Sequence, residues 1–322
     1  MIDLIKRMFG VPAPAPRRAA TPTVEPTLSF GAAGDRFVRI ASLDFFGQYR
    51  RSPDGRWLLA WRDSNDAATH GGYRSSGPGR FYLFEGDRLA AQGRAERPND
   101  GEVANNGSFV INDWLFGDGL KGVFRAYRAD GSIIVERAFT ANLLNNGIAD
   151  DGGMAVCQTC NAPGPDGSLL VIFDLESGHE IAGWVPESGW AASYAFPAEG
   201  RIQLRYGNGQ AYDYAVDGRF LDRNQWMDAQ ARSDNVHVLH NLLRGSALSP
   251  ALSATIIASV DRTLAGSEFN PAERPLALKV RGLCQEALGN LRGALSDYEE
   301  AIALDAKIGL KRKAAELRRR LT

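Results

Sequence analysis

The chain has 322 residues, of which 44% are hydrophobic and 23% charged, with a formal net charge of −1. This is the composition of an ordinary globular protein with room for two domains, and the near-zero charge gives no general drive toward nucleic acid or an anionic membrane. Three cysteines are too few for a disulfide framework, and no run approaches the ~20 apolar residues of a membrane helix.

Residues 1–28 open with a short amphipathic segment, Met1 to Phe9, followed by a Pro/Ala-rich stretch from Val11 to Pro26. Charges interrupt the apolar run and no small-residue cleavage pattern follows, so it is not read as a signal peptide, and a cytoplasmic location is expected. Residues 2–9 read as a frayed tail or a helix folding back; docking to a membrane or a partner is the other reading. The proline-rich stretch reads as an extended linker.

From residue 29 a four-residue turn organises the chain. Ser52-Pro53-Asp54-Gly55, Asn105-Asn106-Gly107, Asp150-Asp151-Gly152 and Ala198-Glu199-Gly200 each lead into a short apolar strand. The glycines supply the positive φ of tight turns. They are separated by 52, 45 and 48 residues, the spacing of a four-stranded propeller blade. A second marker follows each first one: Glu85-Gly86-Asp87, Ala129-Asp130-Gly131, Glu176-Ser177-Gly178 and Val216-Asp217-Gly218, each between two apolar strands. The unit is strand, turn, strand, loop, strand, turn, strand, and such sheets must stack on their neighbours to bury both faces. A β-sandwich of meanders is the alternative. Phe37–Ile40 and Phe45–Tyr49 precede the first copy and are expected to open the array or to close its last sheet. The longest loop of the repeat region is 63–79, and the third copy has a similar insertion at 160–167; long loops are where sites sit on rigid scaffolds.

Ser52-Pro53-Asp54-Gly55-Arg56-Trp57-Leu58-Leu59-Ala60 resembles the blade signature of WD40-like propellers of the TolB and prolyl-oligopeptidase kind, over roughly residues 37–226. The other three copies keep the glycine but not the whole motif. The resemblance implies fold and leaves function open, because propellers host many unrelated activities.

After Trp226 the hydrophobic period becomes helical. Val236–Leu243, a helix opened by Ser249-Pro250, one opened by Asn270-Pro271, Leu291–Leu304 and Leu310–Leu321 are the predicted helices. Arg281-Gly282-Leu283-Cys284, Leu288-Gly289-Asn290, Ala294, Tyr298 and Ala301 resemble one tetratricopeptide repeat. Gln285 and Ala306 depart from it, standing where the family usually has an aromatic and a proline. The resemblance implies that Gly282 and Ala294 let two helices approach, and that the last helix caps the stack. The expected fold is thus mainly β plus α. A small β-propeller of about four to five blades, complete or incomplete, occupies 29–230, and a tetratricopeptide-like helical domain occupies 231–322.

Candidate chemistry is sparse. Cys157-Gln158-Thr159-Cys160 is half a zinc site with no second pair. It closes a predicted strand, where a redox pair opens a helix. His237 and His240 share a helix face without a carboxylate in the same helix. Asn145, Asn146, Asp150 and Asp151 form a polar cluster that could hold a cation, although turn position accounts for Asp150 and Asp151. No Gly-x-Ser-x-Gly elbow, phosphate loop or His-Glu-x-x-His occurs. No catalytic residue, cofactor or metal ligand is therefore assigned.

Both resemblances imply binding of a protein or peptide, and no nucleic-acid partner is expected. A non-enzymatic interaction module or scaffold is the first reading, with an inhibitor or immunity-type binder as its narrower form. Trp114, Trp184 and Trp190 are the candidate anchors, since interface hot spots favour Trp; the competing reading places them in the sheet cores. Arg312 and Arg319, on the basic face of the last helix, are candidates for an acidic partner, against a solvated outer face. The second reading is a propeller enzyme, a metal-dependent hydrolase or lyase, which requires Asp, Glu, His or Asn side chains to converge at the propeller axis.

Overall fold

A computed structural model of the chain describes residues 28–30, 36–63, 79–245 and 248–322. The expectations for residues 2–9, for the proline-rich stretch and for most of the 63–79 loop lie outside the described residues. The contacts divide the chain into two compact units. One holds the described residues up to Gly167 with Ile172–Glu180; the other holds Ser168–Val171 with Ile181–Thr322. The sequence instead sets its boundary at 230.

Seventeen strands are described, all in antiparallel sheets wherever register is resolved. The first sheet runs in the order β1 (Leu28–Phe30), β2 (Phe37–Ile40), β3 (Phe45–Arg51), β4 (Trp57–Arg62), β5 (Gly79–Glu85) and β6 (Arg88–Ala95). The second comprises β7 (Pro98–Val103), β8 (Phe109–Asp113), β9 (Gly122–Tyr127) and β10 (Ile133–Phe139). The third comprises β11 (Leu143–Ile148), β12 (Met154–Thr159), β13 (Leu170–Asp174) and β14 (His179–Trp184), and the fourth β15 (Ser193–Ala195), β16 (Arg201–Arg205) and β17 (Ala211–Ala215). β1 and β2 add to the first sheet rather than to the last. The fourth sheet has only a single bridge, Tyr214 to Phe220, where the others have a fourth strand.

Both turn markers recur at the same place in every sheet. The first joins strands one and two of each four-strand unit, with φ of 75°, 82°, 78° and 71° at Gly55, Gly107, Gly152 and Gly200. The residue before the glycine closes the turn with its own side chain. Oδ1 of Asp54, Asn106 and Asp151 accepts from the backbone N–H of Arg56, Ser108 and Gly153 at 3.0, 2.9 and 2.8 Å. Asp130 and Asp217 do the same for Ser132 and Arg219 in the second marker. These Asx turns give an Asp or Asn at that position a local reason to be there. The turns also tie the sheets together. Asn105 accepts on its side chain from Asp54 N–H and on its carbonyl from Trp57 Nε1 and Arg56, while its own N–H donates to Asp150.

In the first unit, three sheets stack face to face. Trp57, Leu59, Trp61, Phe81 and Leu83 of the first meet Val103, Phe109, Ile111 and Tyr127 of the second, all buried; each such side chain contributes ~1.5–3 kcal/mol. Phe124 of β9 stacks on Phe173 of β13 at 4.9 Å, linking second sheet to third. β7 packs against β3 and β4, and β11 against β7 and β8, so the leading strands of the three sheets lie side by side.

In the second unit, α1 (Arg223–Ala231), α2 (Val236–Gly245), α3 (Pro250–Ala265), α4 (Arg274–Ala287), α5 (Leu291–Leu304) and α6 (Lys311–Leu321) follow the fourth sheet. Ser249 caps α3 by accepting from Leu252 N–H at 3.2 Å, with Pro250 in the first turn. Val236, Leu239, Ile256, Val260, Val280 and Cys284 form one helical core. Tyr298, Ala294, Ala301, Leu310 and Leu317 form another with Leu278. A Cβ on Gly282 would lie 2.6 Å from the Tyr298 ring, so α4 and α5 approach at a distance only glycine allows. No helix among the described residues is long and apolar enough to cross a membrane.

Candidate functional site

The most distinctive surface lies where β8 ends. Asp113, buried, closes that strand and holds the β8–β9 loop from inside. Its carboxylate accepts from the backbone N–H of Glu96 (3.0 Å), Arg97 (2.7 Å) and Leu115 (3.2 Å), and from Nη1 of Arg125 (3.0 Å). Glu96 returns the connection by accepting from Phe116 N–H at 2.9 Å. Leu115 adopts φ 57°, a left-handed conformation that costs a non-glycine residue roughly 1–2 kcal/mol and persists only where the surroundings enforce it.

These bonds fix an exposed aromatic platform. Trp114 is 39% exposed, yet its Nε1 donates to the Leu143 carbonyl at 2.9 Å. The Arg97 guanidinium sits 5.7 Å from the Trp114 ring and 5.5 Å from the Phe116 ring, and pairs with Asp63 at 3.7 Å. Leu120, further along the loop, is also exposed. The platform is an amphipathic surface with its conformational entropy already removed, the property that favours Trp and Arg at binding hot spots. The β12–β13 connection, which contains the 160–167 insertion, occupies the corresponding place in the third sheet. Asp166 anchors it by accepting from Thr140 N–H and Oγ1 at 2.7 and 2.8 Å.

A second polar constellation lies on the leading strands. Arg50 of β3 pairs with Glu102 of β7 at 3.0 Å, and Asp100 stands two residues away on the same strand face. Burial, then the charge of Glu102, pushes the Asp100 carboxyl up to about 6. Burial likewise raises Glu102, against the lowering effect of Arg50. Arg50, Glu102 and Asp100 thus gather on neighbouring leading strands, and β11, which carries Asn146, packs against β7; the enzyme reading requires such groups at a propeller axis.

The other candidates fall apart from these. Trp184 is half-buried, packed on the turn at Gly218 and 6.1 Å from Tyr214. Trp190 is 50% exposed in the loop before β15, where Val185 is exposed too. Arg312 and Arg319 are exposed on α6, beside Lys313 and Arg318, which pair with Glu286 and Glu299. Cys157 is buried and Cys160 half-buried, both free thiols. His237 is exposed, 3.8 Å from Glu273. No group of three or more His, Cys, Asp or Glu suited to a metal occurs among the described residues. Asp113, Arg97, Phe116, Asp100 and Glu102 escaped the sequence reading. β7 reads Pro-Asn-Asp-Gly-Glu-Val, composition that belongs to a loop. An Asp at a strand end carries no outward sign of four donors around it.

No protein-family model matches the chain, and no curated protein matches it. Partial likenesses exist among solved structures. BamB from Moraxella catarrhalis aligns over 61% of this chain and 51% of its own, at 14% identity and TM-score 0.39. The C-terminal WD40 domain of Sif2 aligns over 52% and 44%, at 11% and 0.35. KlAtg21, solved in complex with the coiled coil of AgAtg16, aligns over 42% and 46%, at 9% and 0.32. The chain spans about half the length of these structures. Likeness at this level leaves function to the chain's own residues.

Proposed function

We propose that the chain is a non-enzymatic binder of a protein or peptide, built from propeller-like blades and a tetratricopeptide-like helical stack. The observation that carries this reading is the Trp114–Phe116 platform, exposed on one side and fixed on the other by Asp113. Support for blades comes from the two turn markers holding the same place in four sheets, and from face-to-face stacking through the Trp57–Tyr127 core. Support for the helical repeat comes from Gly282 against Tyr298 and from buried Ala294 and Ala301. A cytoplasmic setting, with three free thiols, belongs to this reading, as does masking of a single partner as its narrower form. Capture from the native host with wild-type and Trp114→Ala protein tests it. A partner should be retained by the first and lost by the second, with both equally folded by circular dichroism. Identical captures from the two proteins would refute the role of the platform.

A propeller enzyme with its site among the leading strands is the second reading, favoured by the convergence of Asp100, Glu102 and Asn146. Turnover in a screen of ester, phosphoester and glycoside substrates, abolished by Asp100→Asn but not by Trp114→Ala, would establish it instead.

A further inference from the structure

Strand register brings four polar side chains together between the second and third sheets. On β7, Asp100 stands opposite Asn112 of β8. On β11, Asn146 stands opposite Cys157 of β12. Directly opposed residues of an antiparallel pair share a face of their sheet. The Cys157 thiol reaches Asn112 Oδ1 at 3.8 Å from one sheet to the other. The two pairs therefore face each other.

The amides here are enclosed and unpartnered. Asn112 is 0% exposed and Asn146 6%. Asn112 Nδ2 and both Asn146 amide atoms have no hydrogen-bond partner among the described residues. An unpartnered buried polar group is costly, and buried polar atoms are nearly always satisfied. Three orphans in one enclosed place call for an occupant of small size. The donor set says which kind. Asp100 offers carboxylate oxygens, with Glu102 beside it on the same face but committed to Arg50. Asn146 offers an amide oxygen. Asn112 offers another once its amide is turned over, an exchange that coordinates alone do not distinguish and that gives up only a weak thiol contact. Carboxylate and amide oxygens are the ligands of hard cations, Ca²⁺ above all.

We propose that Asp100, Asn112 and Asn146, with Glu102 at the margin, form an oxygen site for a hard divalent cation between the second and third sheets. The sequence motifs assign no metal; this site is assembled from three strands and has no motif. It uses Asn146 of the cluster singled out in the sequence, with Asp100 and Asn112 in place of Asp150 and Asp151. It stands independently of partner binding at Trp114.

The test uses the full chain, stripped with EDTA, dialysed, and titrated with CaCl₂ and MgCl₂ by calorimetry and thermal unfolding. One Ca²⁺ should bind per chain and raise Tm by several degrees. Asp100→Asn should weaken binding at least tenfold and Asn146→Ala comparably, while Asp118→Asn, exposed in the β8–β9 loop, should leave it unchanged. Should Asp100→Asn not fold, Asn146→Asp places a second carboxylate at the site and should tighten binding. No heat and no Tm shift at millimolar Ca²⁺ and Mg²⁺ overturn the proposal, as does binding that survives Asp100→Asn. A response to Zn²⁺ alone, lost in Cys157→Ser, overturns it in favour of a thiolate site.

Discussion

Replacing Asp113 by Asn asks whether the β8–β9 loop is held by charge or by shape alone. Oδ1 accepts from Arg97 and Leu115, and Oδ2 from Glu96 and Arg125. An Asn that keeps its oxygen at the Oδ1 position turns an NH₂ toward two donors. Hydrogen bonds to a charged group contribute ~1.5–3 kcal/mol, and a buried donor left unpaired costs ~1–3 kcal/mol. Arg125 keeps Glu136 at 2.5 Å, which softens the loss on that side. The expected destabilisation of the first unit is therefore about 3–5 kcal/mol, the scale of a buried ion pair broken from one side. Two compact units need not unfold together, so hydrogen exchange read peptide by peptide is the assay, with urea denaturation alongside. Peptides covering Leu115 and Phe116 should lose protection first. A loss below ~1 kcal/mol, with those amides as protected as in wild type, would refute the reasoning.

Three further outcomes follow from the packing. Gly55 and Gly107 share a turn and a positive φ, but a Cβ on Gly55 meets nothing within 4 Å while one on Gly107 lies 2.6 Å from the Trp57 ring. Gly55→Ala should cost ~1–2 kcal/mol and Gly107→Ala a further ~1–3 kcal/mol from overpacking, read by urea denaturation; equal costs would show that the Trp57 contact is soft. Gly282→Ala gains up to ~1 kcal/mol in helix propensity. It forces a methyl against Tyr298, which is buried and bonded to Glu286 at 2.7 Å, so thermal unfolding should show a net loss. In chelator, Asp100, raised to about 6 from 3.8, binds its proton more tightly folded than unfolded. Its contribution to stability therefore falls as pH rises from about 4 to 6. Asp100→Asn should unfold at a higher temperature than wild type at pH 7.5 and at a similar one near pH 4; a difference independent of pH would contradict the assignment.

Much of the architecture was legible because it is local. An Asp or Asn before a Gly bonds its own turn through two residues of backbone, so Asp54, Asn106, Asp151, Asp130 and Asp217 announce their turns in any context. The helix starts at Ser249 and Asn290 are equally local, each a side chain accepting from a backbone N–H three residues on. The tetratricopeptide resemblance named Gly282 and Ala294 as the close-approach positions of the helical hairpin; that Gly282 lies against the Tyr298 ring was read from the structure. α1 was missed: Arg223–Ala231 carries only one fully buried residue, Ala231, and hence almost no periodic signal. β7 was missed because Pro98, Asp100, Gly101 and Glu102 argue against a strand that only its neighbours stabilise.

By itself the sequence determined the repeating turn-and-strand unit and its turn chemistry, since these are set by interactions within a few residues of chain. Tertiary structure alone decided that Trp114 is presented while Trp184 is packed, that Asp113 is ringed by donors, and that Asp100, Asn112 and Asn146 face one another. Those facts depend on which sheet faces lie together and in what register. A one-residue shift of register would turn each of these side chains to the opposite face.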